Sequence, residues 1–237
     1  MSGHSKWANI KRRKESQDKK RGQLFSKFAK AIAVAVKTGG SANPEANAHL
    51  RMIIEQARAI NMPKENIQRA LKAGERKDVV LESFILEGYG PFGVAVLIQV
   101  ATDNRQRSIQ EIKNIFQHND GSLVEPGSVA FQFERQGMVV TKKIEEDKIL
   151  KLMDWGINDF EEKEGQSIFY FAPEKIEEFK RFAQEKQIEI IFVKLIMRPK
   201  TPLCLREKQQ IERIKNFLRE LESQEDVQEV FTNVSLG

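Results

Sequence analysis

The sequence predicts an α+β protein: an N-terminal three-helix domain followed by two α/β sandwich domains, one inserted in the other. Three observations predict it. Apolar residues recur at helical spacing as far as Gly74, and near Val79 the pattern changes to β-rich runs. From Gly137 the elements then read β-α-β-β-α-β, the order of the split ferredoxin-like unit. The same architecture is expected of both sandwiches.

Residues 22–75 read as helical. Phe25, Phe28, Ile32, Ala35 and Val36 keep the helical period, and Gly39-Gly40 ends the run as a C-terminal cap would. Asn43-Pro44-Glu45 has the form of a helix start, with a capping amide, Pro at the first helical position and an acid in the first turn. Leu50, Ile53, Ile54, Ala57 and Ile60 form the buried stripe of that second helix. A third helix opens at Pro63 and buries Ile67, Ala70 and Leu71.

Strands are expected at Val79 to Glu87 and Val94 to Val100, joined by the turn Gly88-Tyr89-Gly90-Pro91-Phe92-Gly93. A helix follows with Ile109, Ile112, Ile115 and Phe116 inward. After a Gly/Pro loop, the alternation of Val129, Phe131 and Phe133 predicts a strand. The inserted unit reads as strand 138–143, helix 146–155, strands 158–163 and 167–172, helix 174–186 and strand 189–197. A helix carrying Ile211, Ile214, Leu218 and Leu221 and a strand from Val227 to Val234 finish the chain. Residues 79–135 cannot close a sandwich alone, and the last helix and strand have no sheet of their own. The expected domains are therefore 1–76, a basic arm and helical bundle; 77–135 plus 199–237, a middle α/β domain; and 136–198, an inserted α/β domain.

Charge is spread unevenly over the 237 residues. Ten cations (Lys6, Lys11, Arg12, Arg13, Lys14, Lys19, Lys20, Arg21, Lys27 and Lys30) face two carboxylates, Glu15 and Asp18, in the first thirty residues. Such a segment repels itself and calls for solvent or a polyanion. Trp7 adds a stacking face among those cations. The arm carries about +8 against a net charge of +5 for the chain, so the rest is slightly acidic and a local polyanion contact is expected of the arm. Cys204 is the only cysteine, which excludes an intrachain disulfide and a thiolate metal cluster. The start has no apolar signal core, and the longest apolar run, Ile188 to Met197, is broken by Glu189 and Lys194. A cytoplasmic location without membrane contact is expected.

Gly88 to Gly93 matches G-x-G-x-x-G by letter, but that motif needs a helix behind it, and Val94 to Ile98 reads as a strand. A tight strand connection fits better than dinucleotide binding. His4, His49 and His118 have no ligand spacing, and neither a Walker loop nor a nucleophile elbow is present. The acids, as in Glu145-Glu146-Asp147, fall on expected solvated faces. An enzyme is not expected, nor a cofactor or metal. Asp103-Asn104-Arg105-Gln106-Arg107-Ser108 opens a helix that Asp103 or Asn104 can cap; the functional reading has Arg105 and Arg107 meeting phosphate there. Lys64, Gln68, Arg69 and Lys72 offer a groove-facing side on the third helix.

Several segments together resemble the YebC/PmpR family: Gly3 to Lys11, Pro44 to Asn47, Asn61 to Ile67, Glu87 to Pro91, Thr102 to Arg105, Gly127 to Phe131 and Asp226 to Asn233. The resemblance spans the chain and is weakest over 136–200. It implies three domains, a cytoplasmic location and DNA binding in transcriptional regulation. It also implies a link to translation, since family members include a mitochondrial activator of cytochrome oxidase synthesis and factors acting on ribosomes stalled at proline runs. The sequence thus predicts a monomeric, nucleic-acid-binding regulator of gene expression. DNA is the first target and ribosomal RNA, with the ribosome as partner, the alternative. A small-molecule sensor is a third reading, supported by no site. The residues expected at the nucleic acid are Lys6, Trp7, Lys11, Arg12, Arg13, Lys14, Lys19, Lys20, Arg21, Lys64, Arg69, Arg105 and Arg107.

Overall fold

The computed structural model describes residues 3–76, 78, 80–145, 149, 152, 153, 155–163 and 165–235, with side chains from residue 21 onward. The chain divides into two compact units. The first comprises Met1–Ser83, Ala101–Ser108 and Ser223–Gln228, and the second Phe84–Val100, Ile109–Glu222 and Glu229–Gly237.

The first unit is built on α1 (Gly3–Gly39), α2 (Ala48–Ala59) and α3 (Lys64–Glu75). Sequence periodicity starts the first helix near residue 22, but the backbone is helical from Gly3. The reason is intrinsic: Lys, Arg, Gln and Ala are strong helix formers, and one glycine at position 22 costs only about 1 kcal/mol. Ile32, Ala35 and Val36 of α1 pack on Leu50, Ile53, Ile54 and Ala57 of α2 and on Ile67 and Ala70 of α3. The start of α2 also differs from expectation. Asn43 closes a turn, its side chain accepting from the Glu45 N–H at 3.0 Å and its carbonyl from the Ala46 N–H at 3.1 Å. Asn47 is the true N-cap, taking the Leu50 N–H at 3.0 Å and donating to Ala35 O in α1 at 2.9 Å. Asn43-Pro44-Glu45 is therefore a turn that delivers the cap, and the helix begins four residues after Pro44.

The α/β part contains β1 (Glu82–Tyr89), β2 (Ala95–Thr102), α4 (Arg105–His118), β3 (Ser122–Val124), β4 (Phe133–Lys142), β5 (Asp159–Lys163), β6 (Gln166–Phe171), α5 (Ile176–Glu185), β7 (Ile190–Pro199), β8 (Leu203–Cys204), α6 (Lys208–Ser223), β9 (Val227–Thr232) and β10 (Val234–Ser235). One sheet has the order β3-β1-β2-β9, with the final long strand beside β2. The other has the order β5-β6-β4-β7 with antiparallel neighbours, the strand order of the split β-α-β-β-α-β unit. Its core joins Val139, Phe169, Phe171, Phe179 and Val193, with Phe171 and Phe179 stacked at 5.0 Å. β8 and β10 form a small parallel pair.

Two further details depart from the sequence reading. Residues 130–132 form a 3-10 turn where the alternation predicts strand. Val129 and Phe133 are buried on either side of it, while Phe131 stands 65% exposed. The glycines at 88 and 90 have a packing reason. A side chain at Gly88 would meet the Phe116 ring at 2.5 Å, and one at Gly90 the Phe217 ring at the same distance. These two rings, from α4 and α6, cross edge to face at 5.1 Å directly over the strand backbone. Residues 91–93 form a short 3-10 turn and β2 follows it, the strand that the sequence predicts behind the motif.

Candidate nucleic-acid interface

The expected contact residues fall on three elements. Lys6, Trp7, Lys11, Arg12, Arg13, Lys14, Lys19 and Lys20 occupy the first half of α1, and their side chains lie outside the described residues. Successive helix positions turn by about 100°, so the Lys11 to Lys14 run occupies positions all round the axis. The first turn of α1 contains no acid, so its helix dipole adds positive potential to the same end. Arg21 is exposed, with its guanidinium 5.3 Å from the centre of the Phe25 ring. Lys64 and Arg69 are exposed on α3, and Arg69 donates to Asn66 one turn earlier.

Arg105 and Arg107 sit on the first turn of α4, where carboxylates engage both. Arg105 donates to Glu82 at 3.2 Å, and Arg107 to Asp103 at 2.8 Å and Asp226 at 3.2 Å. The N-terminus of α4 is closed by its own sequence. Asn104 accepts the Arg107 N–H at 3.1 Å, and Thr102 Oγ1 accepts the Asn104 N–H at 2.9 Å. Asn104 thus caps the helix, and the charge of Arg107 is balanced within the protein.

Sequence reasoning missed the group around which this corner is arranged. The Asp226 side chain is 1% exposed and accepts from Lys30 Nζ at 2.5 Å, Ser108 Oγ at 2.7 Å and Arg107 at 3.2 Å. Burial pushes this carboxyl up, but the hydrogen bonds from Lys30 and Ser108 outweigh it and hold the group at about 2. Lys30, counted with the basic arm in the sequence, is therefore spent on an internal carboxylate. A second missed acid, Glu87, is buried at the end of β1 and accepts from the N–H groups of Gly127, Val129 and Ala130 at 2.7, 2.6 and 2.8 Å. Desolvation raises its pKa, yet the three backbone donors together leave it lowered. A carboxylate within an apolar strand was the available signal for Glu87. Asp226 gave none, because its partners lie 118 and 196 positions away.

Among the described residues no group of three or more His, Cys, Asp or Glu side chains could hold a metal ion. No described helix is long and apolar enough to cross a membrane.

Comparison with known proteins adds family evidence. The model of the TACO1/YebC protein N-terminal domain matches residues 5–77, and that of the TACO1/YebC second and third domain matches residues 81–234. A probable transcriptional regulatory protein of Syntrophomonas wolfei is 41% identical, with 100% of this chain and 97% of the relative covered. One from Bacillus subtilis is 42% identical, with 98% and 99% covered. Among solved structures, a conserved hypothetical protein of Aquifex aeolicus superimposes with a TM-score of 0.82 at 35% identity, over 91% of this chain and 90% of that one.

Proposed function

The chain belongs to the TACO1/YebC family, and from that premise we propose that it is a non-enzymatic regulator of gene expression that binds nucleic acid through the first half of α1. The regulatory role follows the names of its relatives, which describe probable transcriptional regulators. One observation carries the contact: besides Lys30, nine cations against two carboxylates in the first thirty residues, on a stretch that runs into a single helix. A helical stretch with cations at positions all round its axis, as at Lys11 to Lys14, is poorly suited to burial in a protein core, whereas a phosphate chain relieves both its self-repulsion and its dipole. Duplex DNA is the first target, reached by Lys6, Lys11, Arg12, Arg13, Lys14, Lys19, Lys20 and Arg21 as phosphate contacts. Lys64 and Arg69 of α3 supply a second set.

Crosslinking in living cells, followed by sequencing of the bound nucleic acid, tests this directly. Recovery of promoter DNA is the expected result. Recovery of ribosomal RNA moves the protein to the translational role found in its family, with the ribosome as partner and the same helix as contact. Recovery of neither removes the proposal.

A further inference from the structure

Residues 60–63, which join α2 to α3, form a fixed corner. The α2 backbone ends on Asn61 at φ +57°, the left-handed conformation that asparagine tolerates better than most side chains. Two bonds close it, Asn61 N–H to Arg58 O and Met62 N–H to Ala57 O, both at 2.9 Å, in the paired pattern of a Schellman motif. Met62 is buried at 5% exposure. Pro63 has no N–H with which to continue α2, and its extended ψ of 140° sends the chain off in a new direction as α3 begins.

α2 and α3 both pack on α1, and they touch one another little away from this corner. They therefore meet at an angle rather than lying side by side, which is the arrangement of a helix-turn-helix. α3 turns Ile67, Ala70 and Gly74 inward. Its other side carries Lys64, Gln68, Arg69 and Lys72, all exposed. Glu65, the acid of the first turn, complements the helix dipole. Lys64, Gln68 and Lys72 are four residues apart, so they stand in one row along the helix with the amide between two ammonium groups. A neutral amide adds no charge for a phosphate to meet. It does present a donor and an acceptor side by side, the pair that matches the N6 and N7 edge of adenine.

We propose that α2 and α3 form a helix-turn-helix whose second helix enters the major groove of duplex DNA, with Gln68 reading a base edge and Lys64, Arg69 and Lys72 holding phosphates. The inference rests on the duplex-DNA reading above and adds to it the residue that selects a sequence, since phosphate contacts position a protein without reading bases. The three cations of this face suit a polyanion. The major groove of B-form DNA admits a helix, whereas that of duplex RNA is too deep and narrow for side chains to read.

The test uses the full-length protein and a pool of DNA duplexes with about ten randomised base pairs, one helical turn. Duplexes recovered on the wild type should share a short motif with adenine at one position. Gln68→Ala should abolish the preference at that position and lower affinity for the selected duplex by about 5- to 150-fold. Affinity for unselected duplexes, the salt slope and the thermal midpoint should stay as they are, because Gln68 is uncharged and exposed. Lys64→Ala with Lys72→Ala should instead weaken all duplexes alike and lower the salt slope by about 1.8. The same motif from the wild type and from Gln68→Ala overturns the proposal. So do recovered duplexes without a shared motif, or tighter binding of the same sequence as duplex RNA. The parent reading fails separately: duplex binding that survives Arg12→Ala with Arg13→Ala unaltered removes the α1 contact, whereas an unchanged motif in Gln68→Ala removes only the helix-turn-helix.

Discussion

Lys30 in α1 and Asp226, 196 positions later, meet at 2.5 Å in an ion pair that joins the two ends of the first unit. The lysine is 17% exposed and the carboxylate 1%. A charge so far from water costs several kcal/mol unless its lone pairs are filled. Ser108 and Arg107 fill the rest, and Ser108 is itself bonded to Thr102 at 2.8 Å. The pair is thus part of a network that fixes the start of α4 against α1.

That network predicts acid sensitivity of a definite sign. The folded pKa of Asp226, about 2, is depressed, so its stabilisation is complete above the unfolded value near 4 and is lost as pH falls towards 2. Glu87, also lowered, acts in the same direction. Asp226→Asn should cost on the order of 2 kcal/mol at neutral pH, since it leaves the mostly buried Lys30 beside a neutral amide. Its thermal midpoint should also change less than that of the wild type between pH 4 and pH 2. Parallel pH curves for the two proteins would remove Asp226 as the titrating group.

Glu87→Gln should be as damaging although it is nearly isosteric. Three N–H groups converge on the two carboxylate oxygens, and an amide offers them one oxygen and two opposing hydrogens. An unfilled buried donor costs about 1–3 kcal/mol, so a loss of about 2–3 kcal/mol is expected in denaturant titration. A variant with the wild-type midpoint would mean that the 125–132 turn holds itself.

Two glycines of the first unit should respond oppositely to the same change. A Cβ at Gly74 would sit 2.6 Å from Ala33 O and 2.7 Å from Val36 Cβ, where α3 crosses α1 closely. At Gly22 it would meet nothing within 4 Å. Gly74→Ala should destabilise by about 1–3 kcal/mol despite better helix propensity, while Gly22→Ala should stabilise by about 0.5–1 kcal/mol. Thermal unfolding of both variants decides whether that crossing is as tight as the backbone places it.

Local chemistry was legible in the sequence where one period or one turn decides the structure. The stripe Leu50, Ile53, Ile54 and Ala57 is buried as its spacing requires, and Gly88 to Gly93 joins two strands. Reading failed where two local signals compete. Asn43 and Asn47 can both cap, and contacts of the Asn47 amide with Ala35 O and Ser41 O accompany its selection. Val129, Phe131 and Phe133 alternate as a strand would, but the Glu87 carboxylate draws the intervening backbone into a turn. At the candidate interface, basic composition singled out α1 but could not separate Lys30 from its neighbours. Nor could it foresee that Arg107 faces Asp226, because both contacts close over more than a hundred residues.

The α1 contact predicts a quantitative salt dependence. Each cation that meets a phosphate displaces condensed counterion, so its removal flattens the plot of log affinity against log salt by roughly 0.7 to 0.9. Arg12→Ala with Arg13→Ala should therefore lower the slope by about 1.4 to 1.8 and weaken binding to all sequences alike, most visibly at low salt. Trp7→Ala changes no charge and should leave the slope intact. If Trp7 stacks on a base, its loss costs about 1–3 kcal/mol of affinity at unchanged protein stability. If instead it anchors the helix, the thermal midpoint falls. Should deletion of residues 1–21 leave affinity for both DNA and ribosomes unaltered, the charge at this end of α1 is a solvated tail and the interface lies elsewhere.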